Sequence, residues 1–231
     1  VWDLNGPAGQ VASTGDRLGS ALAAADFDHD GFADLAIGVP YRDVVTPEAT
    51  LEARAGAVLV LYGSAGGLIE AGAQYFRQGA GGIVGALEED DFFGEALATG
   101  DFDGDGFADL AIGVPGEDVG AVTNAGAVNV VYGSAAGLST APGTSANGIW
   151  TQGDLGSSQD EASDEFGHAL AAGDFNDDGR DDLAVGAPRE NWGAVIDAGA
   201  VFVLLGSDNG LTALGQQVRT QDDGGIPGDA D

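Results

Sequence analysis

Three times along the chain, large apolar residues alternate with Ala or Gly and then stop at a Pro. The segments are Leu35-Ala36-Ile37-Gly38-Val39-Pro40, Leu110-Ala111-Ile112-Gly113-Val114-Pro115 and Leu183-Ala184-Val185-Gly186-Ala187-Pro188. A period of two predicts a strand whose faces differ, and a face of Ala and Gly predicts a second sheet packed very close to it. Pro lacks an amide donor and ends the strand. A polar connection leads to a second set, Gly56 to Ser64, Gly126 to Ser134 and Gly199 to Ser207, apolar on both faces. That pattern predicts a central strand buried on both sides. A Gly-Ser-x-x-Gly-Leu turn comes next, and then a weaker segment of mixed polarity: Gln74 to Gln78, Gly148 to Gln152 and Gln217 to Gln221. Mixed polarity suits an outer edge strand. Ahead of the alternating strand stand Asp16 to Leu22, Asp91 to Leu97 and Asp164 to Leu170, which read as strand A with the Phe-Gly or Leu-Gly pair already on it. Each repeat therefore predicts four antiparallel strands, A to D.

The fold class is all-β, with the repeats at residues 16–90, 91–163 and 164–231. Residues 1–15 hold Val1-Trp2-Asp3-Leu4, which matches Ile149-Trp150-Thr151-Gln152, and the connection after it. This is a D strand without its A, B and C. At the other end, Pro227 to Asp231 stops where a further repeat would open. The expectation is a segment of a longer natural protein, or a spare strand that completes a sheet in a neighbouring chain.

Between strands A and B an aspartate-rich nonapeptide recurs at offsets of 75 and 73 residues. It runs Asp26 to Asp34, Asp101 to Asp109 and Asp174 to Asp182. Carboxylates at alternate positions around a Gly turn are the donor pattern of a calcium loop. Side-chain oxygens are expected from positions 1, 3, 5 and 9, and a backbone carbonyl from position 7. The ligands are then Asp26, Asp28, Asp30, Asp34 and the Phe32 carbonyl; Asp101, Asp103, Asp105, Asp109 and the Phe107 carbonyl; and Asp174, Asn176, Asp178, Asp182 and the Arg180 carbonyl. This many hard oxygen donors suits Ca2+ better than Mg2+. An EF-hand is excluded, because position 12 holds Ile37, Ile112 or Val185 in place of a bidentate Glu. The competing reading is a polar hairpin using Asp for turn chemistry. Against it, carboxylates 4 Å apart repel by roughly 1 kcal/mol per pair even in water. Asn176 should weaken the third site, although Asp177 and Asp181 raise the local negative field.

The formal net charge is −31, from 38 acidic residues against 7 basic ones, all Arg. Nucleic acid and anionic membrane surfaces need a positive footprint, so neither is an expected partner. Three calcium ions offset only a small part of the excess. The chain has no Cys, so neither disulfides nor thiol chemistry contribute. No stretch approaches roughly 18 apolar residues, so no membrane insertion is expected.

Taken together, these residues resemble the FG-GAP repeat of the integrin α-subunit β-propeller, in the style of bacterial FG-GAP proteins. Phe-Gly stands at Phe93-Gly94 and Phe166-Gly167, with Leu18-Gly19 in the first copy. Gly-Ala-Pro stands at Gly186-Ala187-Pro188, with Val in the middle at Gly38-Val39-Pro40 and Gly113-Val114-Pro115. The resemblance implies a propeller of about seven four-stranded blades, of which three are present. It also implies calcium in the A–B loops and an extracellular or cell-surface location.

No catalytic site is expected. His29 and His168 are isolated, no Ser sits in a nucleophile elbow, and the regularly placed carboxylates belong to the calcium loops. Glu88, Glu89, Asp90 and Asp91 read as a solvated charge run, and Trp2 and Trp150 as packing residues. In a four-stranded meander the A–B and C–D turns share one face, and the B–C and D–A connections share the other. The latter loops differ among the repeats, and the first B–C loop carries Tyr41, Arg42 and Arg54. Variable loops on a fixed scaffold are where recognition usually sits. The function read from the sequence is a non-catalytic, calcium-stabilised extracellular interaction or adhesion module, binding a protein or copies of itself through that face. The alternative is a carbohydrate-binding or accessory module of a secreted hydrolase, with Tyr41 and Trp192 as glycan platforms.

Overall fold

A computed structural model of the chain describes residues 13–46, 50–140, 148–156 and 160–221. The Val1–Leu4 segment and the Pro227–Asp231 tail lie outside these residues. The first repeat forms β1 (Leu22–Ala25), β2 (Asp34–Gly38), a small hairpin β3 (Val44–Val45) and β4 (Leu51–Glu52), then β5 (Val58–Tyr62) and β6 (Ile69–Phe76). The second forms β7 (Leu97–Gly100), β8 (Asp109–Val114), β9 (Ala127–Val131) and β10 (Gly148–Trp150), followed by a short 3-10 helix at Gln152–Leu155. The third forms β11 (Ala169–Gly173), β12 (Asp182–Ala187), β13 (Ala200–Leu205) and β14 (Thr212–Thr220).

Each repeat is one antiparallel four-stranded sheet, ordered β1-β2-β5-β6, β7-β8-β9-β10 and β11-β12-β13-β14. Register repeats as well: Leu22 faces Ile37, Leu97 faces Ile112 and Leu170 faces Val185. Two details differ from the sequence reading. The Asp-x-Phe-Gly lead-ins are tight turns, with Arg17, Phe92 and Glu165 at positive φ, and strand A begins only after them. The polar first B–C connection contains the β3–β4 hairpin.

Alternation within the B strand decides how the sheets stack. Ala36 and Gly38 point toward the second sheet, whose Leu110, Ile112 and Val114 point back. Ala111 of the second sheet likewise shares a core with Leu183, Val185 and Ala187 of the third. Phe93 and Phe166 are fully buried in these two cores. Phe93 donates its N–H to the Ala55 carbonyl at 3.0 Å, and Phe166 does the same to Ala125 at 3.0 Å. The following glycine donates to the B strand of its own sheet, Gly94 to the Gly113 carbonyl at 3.0 Å. A Cβ on Gly38 would lie 2.2 Å from the Gly94 carbonyl oxygen, and one on Gly113 would lie 2.1 Å from that of Gly167. The Phe-Gly and Gly-x-Pro elements, far apart in sequence, thus meet across each seam, and glycine is required because backbone packs on backbone. No helix among the described residues is long and apolar enough to cross a membrane.

Candidate metal loops and the opposite face

The three A–B loops fold alike because position 1 gathers the turn. Asp26 accepts N–H groups from Asp30 at 3.0 Å and Gly31 at 2.9 Å. Asp101 accepts from Asp105 at 3.1 Å and Gly106 at 3.0 Å, and Asp174 from Asp178 at 3.1 Å and Gly179 at 2.9 Å. Position 3 accepts from position 5, through Asp28, Asp103 and Asn176. The position 5 carboxylate of Asp30, Asp105 or Asp178 accepts the N–H of Phe32, Phe107 or Arg180. Position 9 is the anchor. Asp34 is buried and accepts from Phe27 at 2.8 Å and from Gly63 at 2.7 Å. Asp109 binds Phe102 and Gly133, and Asp182 binds Phe175 and Gly206, in the same way. The glycine of each C–D turn is therefore tied to the A–B loop, which puts both turns on one face as the meander requires.

Oxygens of Asp26, Asp28 and Asp34 lie within 4.8 Å of one another, as do those of Asp101, Asp103 and Asp109. Opposed ligands on a cation bound at about 2.4 Å would stand at that separation, so the donor sets fit calcium. Asp30 and Asp105 stand outside these clusters. In the third loop Asn176 takes the place of the middle carboxylate, and its amide donates to Asp178 at 2.9 Å. Asp181 does not reinforce that loop: its carboxylate accepts the Asp101 N–H of the neighbouring loop at 2.9 Å.

Burial sets the electrostatics. Desolvation raises Asp28, with the charges of Asp30 and Asp26 adding to it, and desolvation also raises Asp34. Asp109 is pushed up to about 8, chiefly by burial. Asp174 is lowered, first by the Gly179 N–H. Packing acidic groups this way favours a bound cation.

On the opposite face several sequence readings change. Arg42 is buried and pairs with Asp16 at 2.7 Å. Arg54 reaches across the seam to Asp90, with Glu89 at 3.8 Å. The guanidinium of Arg17 lies 3.8 Å over the Tyr41 ring, and Phe92 packs at 5.3 Å from it. The Tyr41 ring is therefore engaged within the molecule, and Trp192 is half-buried. The run Glu88 to Asp91 is not simply solvated, since Asp91 is wholly buried and Asp90 is paired. No period in the sequence marks that burial; the signal is the recurrence of Asp16, Asp91 and Asp164 two residues before Leu18, Phe93 and Phe166. His29 is exposed and stands edge-on to Phe107, at 5.7 Å. His168 precedes β11 and lies beside Glu165 at 3.5 Å. A cleft on this face is lined by Tyr41, Arg54, Phe92, Glu95, Glu165 and His168, among others.

The FG-GAP repeat profile matches residues 18–61, 93–131 and 166–204, one stretch on each sheet. Phosphatidylinositol-glycan-specific phospholipase D of Rattus norvegicus is 34% identical over 173 residues, covering 74% of this chain and 18% of that protein. Integrin alpha pat-2 of Caenorhabditis elegans is 30% identical over 220 residues, covering 87% and 15%. Integrin alpha-PS5 of Drosophila melanogaster is 39% identical over 110 residues, covering 46% and 10%. The chain spans less than a fifth of the length of each of these relatives. With the matched stretches together exceeding half the sequence and falling on the three stacked sheets, the chain belongs to the FG-GAP repeat family.

Proposed function

We propose that the chain is a non-catalytic interaction module of an extracellular or cell-surface protein, held rigid by calcium in its A–B loops. The carrying observation is the threefold repetition of one loop geometry, in which a buried carboxylate anchors the turn, and in the first two loops it shares a cluster with two further carboxylates that are half-buried or buried. The ions are structural: they fix the calcium face and so hold the B–C and D–A loops in place on the other. Extracellular calcium stands near a millimolar, a range that loops with few carboxylates can use. Similarity to proteins named as integrin α subunits supports a protein partner. The charge of −31 favours a partner with a basic surface. The engagement of Tyr41 with Arg17 and Phe92 counts against a glycan platform.

Thermal unfolding with millimolar calcium and with EDTA tests the metal half of the reading. A clear fall in Tm on chelation is expected, and coincident curves would overturn it. Light scattering in calcium tests the partner half. A monomer keeps the reading of a foreign partner, whereas a discrete multiple replaces it with self-association.

A further inference from the structure

The two seams between sheets carry buried acids that the loop sites do not use. Asp91 and Glu117 lie at the first seam with Gln78, and Asp164 and Glu190 at the second with Gln152. None of these six residues is more than 5% exposed. One oxygen of each Asp accepts a backbone N–H, from Glu88 at 2.7 Å and from Glu161 at 3.0 Å. The Gln78 amide donates to Glu117, and that of Gln152 to Glu190. What remains is a set of buried oxygens to which no protein N–H donates: Asp91 Oδ1, Glu88 Oε2 and Gln78 Oε1 at one seam, Asp164 Oδ1 and Gln152 Oε1 at the other, where the Asp164 and Glu190 carboxyls lie within hydrogen-bond reach of each other. Among the described residues no Arg pairs with any of these acids. Burying charge without compensation costs several kcal/mol per ion.

The first repeat shows what the position demands. Asp16 matches Asp91 and Asp164, and its carboxylate likewise accepts an N–H three residues back, from Ser13 at 2.6 Å. Glu117 and Glu190 stand two residues after the strand-ending Pro, and there the first repeat has Arg42. Its guanidinium lies 2.7 Å from Asp16. In sequence, the match to Gln78 and Gln152 is Leu4. Where the arginine is present, both the second acid and the amide are replaced. One carboxylate faces one fixed positive charge in the first repeat, and two carboxylates face none in the others.

We infer that each seam binds a divalent cation, Ca2+, between Asp91, Glu117 and Gln78 at one and between Asp164, Glu190 and Gln152 at the other. Two carboxylates balance a double charge as Asp16 balances Arg42. The amide carbonyl supplies a neutral oxygen, since a half-turn of the Gln side chain exchanges NH2 for Oε1. A proton shared by the two carboxyls is the competing arrangement, and a calcium count separates the two. These ions lie on the face opposite the loops and stitch neighbouring sheets together, so the inference does not depend on the loop reading. Burial pushes Asp91 up to about 8 and Glu117 and Glu190 up to about 7, so calcium uptake near neutral pH should release protons.

The test is the number of calcium ions held per chain, measured by equilibrium dialysis and native mass spectrometry. The wild type should bind five. Glu117→Arg with Glu190→Arg, which copies the first repeat, should bind two fewer, and its calcium-free form should melt higher than the calcium-free wild type. Asp91→Asn with Asp164→Asn repeats the count without adding bulk. A calcium count unchanged by both pairs of substitutions in folded protein overturns the inference, whether protons or waters fill the seams. Loss of calcium from loop variants alone would reduce the total by at most three and leave the difference of two intact.

Discussion

The second and third sheets carry matching residues on their outer side, yet among the described residues only the second has another sheet stacked against that side. Val128 of the second sheet is fully buried, whereas Val201 at the matching place in the third is 42% exposed. Phe27 and Phe102 are buried under the next repeat, whose Ser134 and Ser207 donate to their carbonyls, whereas Phe175 is 55% exposed. A Cβ on Gly113 would strike the Gly167 carbonyl, whereas one on Gly186 would meet nothing closer than 3.4 Å. The Gly and Phe of these motifs are therefore not needed for a sheet to form. They are needed for two sheets to stack, as expected of an array stabilised by neighbour interfaces.

The largest test of that comparison is chelation, which on the proposed function empties the loops that brace every seam. A site filled at a hundredfold excess over Kd contributes about 2.7 kcal/mol, so chelation should cost several kcal/mol in total. Hydrogen exchange in EDTA should show β11 to β14 opening first, because only one of their faces is covered. Uniform exchange across the three sheets would remove the distinction between covered and open faces. The glycine pair comes next. Gly113→Ala forces backbone apart and should cost about 3 kcal/mol, while Gly186→Ala should cost under about 1 kcal/mol, read from urea midpoints. Equal costs would mean the close approach at the seam is not what selects glycine. The phenylalanines give a similar contrast: Phe102→Ala should cost about 3–5 kcal/mol and Phe175→Ala far less, since it is already half in water. The smallest effect is Tyr132→Phe. The Tyr132 hydroxyl accepts the Leu211 N–H at 3.1 Å, and its loss should cost about 1 kcal/mol. The third sheet has Leu205 at that position and offers no such bond.

A pH series sharpens the same contrast at the seams. In calcium-free protein the carboxyls of Asp91, Glu117 and Glu190 hold their protons to higher pH folded than unfolded. Asp91 is faced by Glu88, Glu117 and Asp118, and Glu190 by Asp164 and Glu161. A raised carboxyl pKa means the folded state binds more protons, so stability falls as pH climbs from about 4 toward 8. Urea midpoints measured at intervals across that range should decline in EDTA and flatten in calcium.

The strands, their order and the three loops were legible because each depends on local chemistry. Alternation of Leu35, Ala36, Ile37 and Gly38 names the faces of β2, and Asp at alternate positions around Gly31 names the turn. The start of strand A was misplaced because Arg17, Phe92 and Glu165 give no sign of their positive φ. The partners of the B–C loop residues were hidden for a different reason. Tyr41, Arg42 and Arg54 look like a recognition surface along the chain, and they are engaged by Arg17, Asp16 and Asp90 only once the chain folds back. The buried acids were hidden because Glu88 to Asp91 looks like a solvated run, and only the recurrence of Asp16, Asp91 and Asp164 sets Asp91 apart from it.

The repeat, the four-stranded sheet and the metal-like loops follow from the chain's local pattern, because they rest on period, turn residues and donor spacing within about a dozen positions. Which glycines touch a neighbour, which phenylalanines are covered and which carboxylates lie at a seam depend on the stacking of folded sheets. Those properties belong to pairs of sheets. Burial depends on what lies across the interface, and residues such as Gly113 and Gly167, or Gln78 and Glu117, are brought together by stacking and by no pattern along the chain.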